Sequence, residues 1–291
     1  MNHLKEANKL DEEDKKIDNK SKNSSDSIEL KEKMRQQLSI SDDIYMIINL
    51  TSQMTDEIKK NFEIIKDLSE TTQSEIESRK VQLKKVDKKL TNKTLILDLD
   101  DTLVHTLNEK KTYSQKDLNL LEINSAFYID PKKGLKSPVK YIIRPYALSF
   151  LQNIFPFYEI ILFTASDQSY ADSIIDKLDP EKNLIDHRLY RQHCIPIKNQ
   201  HIKNLKILEN RDLKNIIIVD NLIISFKDNF DNGIYVPTFK GDSSDRELIK
   251  LSDFLKSKNI LYAEDVRPII HKEFPLFNMY KIFQKSLTDS T

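Results

Sequence analysis

Residues 94–102 read TLILDLDDT, an apolar run that breaks at Asp98 and then sets three carboxylates, Asp98, Asp100 and Asp101, within four positions. The run does not alternate apolar with polar residues, so it suits a strand buried on both faces at the centre of a parallel sheet. Residues 159–163 (EIILF) and 215–219 (NIIIV) have the same texture. Helical patterns fall between them: 146–154, opened by Pro145; 168–178, closed by Asp179 and Pro180; and 202–208. Strand–helix alternation of this kind predicts an α/β fold, an open Rossmann-like parallel sheet with helices on both faces. Residues 121–143 interrupt the rhythm with two strand-like segments around DPKKG at 130–134. They predict a small β-hairpin insertion, with Gly134, one of 3 glycines, where the turn needs a positive φ.

Outward from this core, composition narrows the classes. Lys plus Arg equals Asp plus Glu at 46 each, which leaves no net basic field for holding nucleic acid directly. The single cysteine, Cys194, excludes an intrachain disulfide and a multi-thiolate zinc site, and fits a reducing, nuclear or cytoplasmic location. Apolar stretches such as 44–50 are far short of the roughly 20 residues of a membrane span, and no signal-peptide core opens the chain. Residues 1–41 are polar and charged and are expected to be disordered. Residues 42–92 form a helical extension in which Met54, Ile58, Phe62, Ile65 and Leu68 make one stripe. That stripe serves either to pack on the following domain or as a partner or dimer contact. Residues 93–291 are expected to form the α/β domain, with no appended phosphopeptide-binding module expected after 277–283.

Ligands of open α/β sheets bind beyond the carboxyl ends of the strands. The first strand delivers Asp98 and Asp100 there, the second Thr164 and Ser166, the third Asp220 and Asn221. Two carboxylates that close repel unless a cation sits between them, and oxygen donors of this kind suit Mg2+ better than zinc. Thr164 followed by free N–H groups at a helix start reads either as a phosphate cradle or as an ordinary N-cap.

The motifs DLDDT (98–102), FTAS (163–166), Lys203 and VDN (219–221), in this order, resemble the haloacid-dehalogenase superfamily. Within it they resemble the FCP/SCP-type branch of small phosphatases acting on the C-terminal domain of RNA polymerase II. Leu103-Val104-His105, Arg144-Pro145, Tyr170-Ala171-Asp172 and Leu189-Tyr190-Arg191 extend the likeness. The resemblance implies a Mg2+-dependent protein serine/threonine phosphatase. Asp98 would be its nucleophile, forming a phosphoaspartate, and Asp100 its general acid and then base, with a pKa above the ordinary value. Thr102 would orient the loop, and Asp101 would turn away from phosphate. Thr164 and Lys203 would grip the transferring group, with Ser166, Tyr170 and Arg191 facing substrate. Asp98, the Asp100 carbonyl and Asn221 would hold Mg2+, with Asp220 behind.

Read alone, Lys203 is one basic residue among 46, Arg191 a surface ion-pair partner, Tyr170 a packed helix residue, and Cys194 and His105 structural groups. The expected partner is a phosphoprotein of the Ser-Pro type, such as the polymerase tail. Departures occur at residues 197–200, where an Arg-Gly turn is usual, at Asn204, and at Leu222 and Ile223. They bear on substrate choice. Competing readings are an import-receptor-like scaffold on the same fold, a phosphatase of other phosphoproteins, and a phosphatase of small phosphoesters. The last would need a sizeable lid, for which the chain has little spare sequence.

Overall fold

The computed structural model describes residues 49–86, 89–108 and 112–288. The chain divides into two units, Met1–Gln53 and Met54–Thr291. Of the first, residues 49–53 are described and are helical, so the disorder expected over 1–41 lies outside the described residues. In the second unit the strands are β1 (Lys93–Leu97), β2 (Val104–Thr106), β3 (Ile123–Asp130), β4 (Leu135–Ile143), β5 (Tyr158–Phe163), β6 (His187–Leu189), β7 (Ile195–Ile197), β8 (Gln200–Ile202), β9 (Ile216–Asp220) and β10 (Gly233–Tyr235). The helices are α1 (Asp56–Lys66), α2 (Gln73–Glu77), α3 (Gln115–Leu120), α4 (Ala147–Ile154), α5 (Gln168–Leu178), α6 (Glu247–Leu255), α7 (Lys258–Leu261), α8 (Arg267–Glu273) and α9 (Leu276–Thr288).

A five-stranded parallel sheet in the order β10-β9-β1-β5-β6 organises the unit, the α/β architecture read from the sequence. Every residue of β1, β5 and β9 is buried, which is why these strands show no alternation. Successive side chains still point to opposite faces. Leu95, Leu97, Ile160, Leu162, Ile217 and Val219 join one cluster with Phe150 and Leu151 of α4 and Ile174 and Ile175 of α5. Ile96, Ile161 and Ile218 are equally buried on the other face, where the 3-10 segment Ile223–Asn232 packs on β9 and β10. Each such side chain contributes about 1.5–3 kcal/mol, enough in sum to fix the strand ends that carry the site.

The hairpin forms as read, β3 pairing antiparallel with β4. Its tip is set by Asp130, whose side chain accepts from Lys132 N at 2.9 Å, and by Gly134 at φ 64°. The strand β2 joins it into a three-stranded sheet that continues directly from the 98–102 loop.

Two readings need correction. Residues 202–208 are not a helix: β7 and β8 form a hairpin, and only Leu205–Ile207 turn in 3-10 fashion. The segment is tied elsewhere, with Lys203 N donating to Ser225 O at 2.6 Å and Leu205 N to Asn229 Oδ1 at 3.1 Å. Of the two uses open to the hydrophobic stripe, the partner or dimer contact also gives way to packing on the following domain. Ile58, Phe62 and Ile65 are buried within the chain, and Phe62 stacks on Tyr280 and Phe283 of α9. The helix begins at Thr55, whose hydroxyl caps Ile58 N.

The edge strands β6 and β10, three residues each, are too short to announce themselves in the sequence. At β10 a close approach requires glycine: a Cβ on Gly233 would lie 2.2 Å from the Phe226 ring. No helix among the described residues is long and apolar enough to cross a membrane.

Candidate active site

Parallel pairing of β1 with β9, Leu97 opposite Val219, makes Asp98 and Asp220 neighbours on strands about 4.8 Å apart. Asp98 N donates to Val219 O at 3.0 Å and locks that register to the strand ends. Lys203 reaches between the two carboxylates, its Nζ 2.6 Å from Asp98 Oδ1 and 2.7 Å from Asp220 Oδ2. All three side chains are buried, Lys203 to 2% exposure. Burial alone would lower the Lys203 pKa, but Asp220 and Asp98 outweigh it and the ammonium is held above its usual range. Burial first, then the charge of Asp98, pushes the Asp220 carboxyl up. One lysine thus faces two acids.

Asp100 lies across the cleft. Its carboxylate is met by Tyr170 OH at 2.6 Å, Ser166 Oγ at 2.7 Å and Thr164 Oγ1 at 3.5 Å. Although the residue as a whole is half-buried, these groups cover its oxygens. Burial raises the Asp100 pKa, and the neighbouring charges of Asp98 and Asp101 add to the rise, against the donors Tyr170 and Ser166. Tyr170 OH is in turn 2.6 Å from Thr106 Oγ1, and its ring stands edge-on to Tyr128 of the hairpin. Helix α5 therefore brings one tyrosine to both the carboxylate and the insertion.

The third acid of the loop is turned elsewhere. Asp101 takes a left-handed φ of 62°, which a short polar side chain tolerates, and sits 2.6 Å from His105 Nδ1. Thr102 is buried and donates to Asn221 Oδ1 at 3.4 Å, while Asn221 Nδ2 donates to Thr238 Oγ1 at 3.2 Å. The Thr102 carbonyl accepts from Arg144 Nη1 at 3.1 Å. Arg144 is buried and paired with Asp245, so it fixes the loop from behind. Sequence reading missed this bracing role; an arginine placed just before a proline-opened helix was its only signal. Cys194 is a buried thiol whose pKa burial pushes up to about 12, inert at neutral pH.

Arg191 stands exposed at the rim. Its Nε donates to Ala165 O at 2.6 Å and its Nη1 reaches Asp167 Oδ2 at 3.1 Å, steadying the Thr-Ala-Ser turn. With Ser166, Tyr170, Tyr128 and Lys132 it lines a cleft of about 300 Å3. Tyr170 separates this cleft from a second one of about 520 Å3, lined by Tyr113, Ile123, Tyr128, Pro138 and Val139. The structure gathers nine of the ten sequence-derived site residues into three contact groups, with Arg191 at the rim. Asp98, Asp220 and Lys203 touch, Asp100 gathers Thr164, Ser166 and Tyr170, and Thr102 joins Asn221.

The donors suit a magnesium ion. Among the described residues no three His, Cys, Asp or Glu side chains gather as a metal cage. Asp220 is committed through both oxygens, to Lys203 and to Leu222 N at 2.8 Å. What remains is Asp98, the Asn221 amide oxygen and main-chain carbonyls, the sparse hard-oxygen set that Mg2+ accepts while keeping several waters.

A parallel sheet with paired carboxylates on adjoining strand ends, a buried lysine between them and a Thr-Ala-Ser turn opposite is the arrangement of an α/β phosphatase domain. Within that class the chain belongs to the NLI interacting factor-like phosphatase family, which matches residues 93–267. It is 36% identical to CTD small phosphatase-like protein 2 of Dictyostelium discoideum, over 64% of this chain and 30% of that protein. It is 37% identical to CTD small phosphatase-like protein 3 of Caenorhabditis elegans, over 63% and 60%. Nuclear envelope morphology protein 1 of Schizosaccharomyces pombe is 35% identical over 62% and 36%. The chain therefore spans between 30% and 60% of the length of these relatives. Among solved structures, the fission yeast RNA polymerase II CTD phosphatase Fcp1 bound to beryllium fluoride aligns with TM-score 0.44 and 19% identity, over 68% of this chain and 65% of that one.

Proposed function

We propose that the chain is a Mg2+-dependent protein serine/threonine phosphatase that works through a phosphoaspartate on Asp98. The observation that carries this is the unequal treatment of the first two acids: Asp98 is held by Lys203 at 2.6 Å, whereas burial keeps Asp100 inclined to retain a proton. A general acid must be protonated at the pH where the nucleophile attacks, and the burial of Asp100 pushes it in that direction.

Asp98 attacks phosphorus as the bond to the serine or threonine oxygen breaks, and Asp100 hands its proton to that departing oxygen. Without the proton the leaving group would be an alkoxide. Asp100, now ionised, takes a proton from water, which attacks the phosphoaspartate, releases inorganic phosphate and restores Asp98. Lys203 occupies Asp98 Oδ1 and fixes the carboxylate for attack, and its charge balances the oxygens gathering around phosphorus. Thr164, Ser166 and the N–H groups of their turn hold the phosphate, with Arg191 at the rim, and Thr102 keeps Asn221 in place. Mg2+ held by Asp98, Asn221 and the Asp100 carbonyl, with Asp220 behind, would screen the attacking carboxylate from the phosphate dianion.

For the substrate we propose a phosphoserine or phosphothreonine in an extended segment, Ser-Pro peptides of the polymerase tail being one candidate. The apolar slot bounded by Tyr128, Pro138 and Tyr170 supports this, since it shares Tyr128 and Tyr170 with the cleft beside Ser166 and Arg191. The names of the Dictyostelium and Caenorhabditis relatives favour the same class, and that of the fission yeast relative favours a nuclear place of action. The test is a phosphopeptide array with the purified chain and Mg2+, comparing Ser-Pro repeats, unrelated phosphopeptides and an aryl phosphate. Turnover of peptides supports the proposal, preference for small phosphoesters replaces its substrate class, and no turnover at all leaves a binding scaffold on this fold.

A further inference from the structure

Helix α1 lies outside the span matched by the family, residues 93–267, yet it reaches the cation-binding side of the site. Glu57, in its first turn, accepts a hydrogen bond from the Thr238 hydroxyl. Thr238 Oγ1 in turn accepts from Asn221 Nδ2 at 3.2 Å. An amide held by its nitrogen has its oxygen aimed the other way, toward Thr102 and the cleft. One turn along, Asn61 Oδ1 accepts from Ile224 N at 3.3 Å, just past the same loop. Beyond the helix, Thr71 donates to Asp228, the residue that also holds Asn204 beside Lys203. Ile58, Phe62 and Ile65 bury the inner face of α1, and the helix packs against Ile223–Asn232.

From this chain of contacts we infer that α1 is a built-in brace of the cation site, with Glu57 acting through Thr238 as a positioning residue for Asn221. The inference rests on the proposal that Asn221 is a metal ligand. Partners one step removed from a metal ligand typically alter metal affinity ~10–100-fold when lost. They do so by letting the ligand rotate away, a cost levied on each binding event. The stability of the fold without metal is a separate quantity, carried by the apolar face of α1.

The experiment is isothermal titration of Mg2+ into the whole chain, with no substrate present, alongside urea unfolding of each metal-free variant. Glu57→Ala and Thr238→Val are expected to weaken Mg2+ binding about tenfold or more, and together to weaken it no further than either alone. Glu57→Gln and Thr238→Ser, which keep the acceptor and the hydroxyl, are expected to stay within about threefold of wild type. Should Glu57→Ala unfold the chain, the comparison of Thr238→Val with Thr238→Ser decides alone. If Asn221→Ala weakens Mg2+ binding while Thr238→Val and a folded Glu57→Ala do not, the brace is wrong and the ligand assignment stands. If Asn221→Ala leaves Mg2+ binding intact, the ligand assignment fails and the brace with it.

Discussion

Replacing Tyr170 by phenylalanine should move the pH dependence of turnover upward. The phenol donates to Asp100 Oδ1 at 2.6 Å, a bond to the ionised carboxylate, and so works against the burial that raises the Asp100 pKa. A hydrogen bond to a charged group contributes about 1.5–3 kcal/mol, and 1.36 kcal/mol is one pKa unit, so losing it corresponds to roughly 1–2 units. Ser166 still donates at 2.7 Å, which places the expectation at the lower end, about one unit. The ring keeps its edge contact with Tyr128, so packing changes little. Asp100 must be protonated for the first step, so activity falls as pH rises through its pKa, and the alkaline limb of kcat should shift about one unit higher in Tyr170→Phe. The assay is a pH series with a phosphoserine peptide and saturating Mg2+. Ser166→Ala should move the limb in the same direction. A limb that stays in place or moves down in both variants, with activity at the optimum retained, would refute the acid role of Asp100.

Lys203→Ala should destabilise the chain by about 3–5 kcal/mol, because it leaves Asp98 and Asp220 buried against each other. Urea unfolding should show the loss shrinking as pH falls, since burial and the charge of Asp98 raise the Asp220 pKa and make it the acid protonated first. Asp100→Asn should lower kcat about 10²–10⁴-fold while leaving Mg2+ binding in place, as expected when a general acid is lost. At the opposite end of the sheet, burial would raise the Glu159 carboxyl, but bonds from Arg211, His187 and Thr94 overcome it and hold the pKa at about 2. From the ordinary 4.5 that is about 3 kcal/mol of stability. It is complete above pH about 4.5 and lost as pH falls toward 2, so acid unfolding of Glu159→Gln should lack this dependence. Gly233→Ala should cost about 1–3 kcal/mol by driving a methyl into Phe226, read as a lower melting temperature.

Much of this was legible before any coordinates. The central strands are long and continuously apolar because both faces are covered, and a strand that breaks at Asp98 says where its end must lie. The hairpin was legible because Asp130 and Gly134 have one job each in a tight turn. What escaped was whatever depends on distant partners. Residues 202–208 carry a helical pattern, yet Ser225 and Asn229, some twenty positions away, take their N–H groups. The stripe on α1 was clear, but its target in α9 and Ile223–Asn232 was not, because amphipathicity does not say which surface it meets. In the site, the acids and Lys203 stood out by chemistry and order. The contacts of Arg144, Tyr170, Thr106 and Thr238 arise from tertiary packing, and their residue types are common on any helix or strand.

The measurement that bears most directly on the catalytic claim is covalent trapping. The chain with Mg2+ is mixed with a phosphoserine peptide carrying radioactive phosphate, quenched in acid within a turnover, digested and mapped. Label on the peptide that contains Asp98, removed by hydroxylamine and absent from Asp98→Asn, is the predicted result. Continued peptide turnover by Asp98→Asn, or label on another residue, would contradict it.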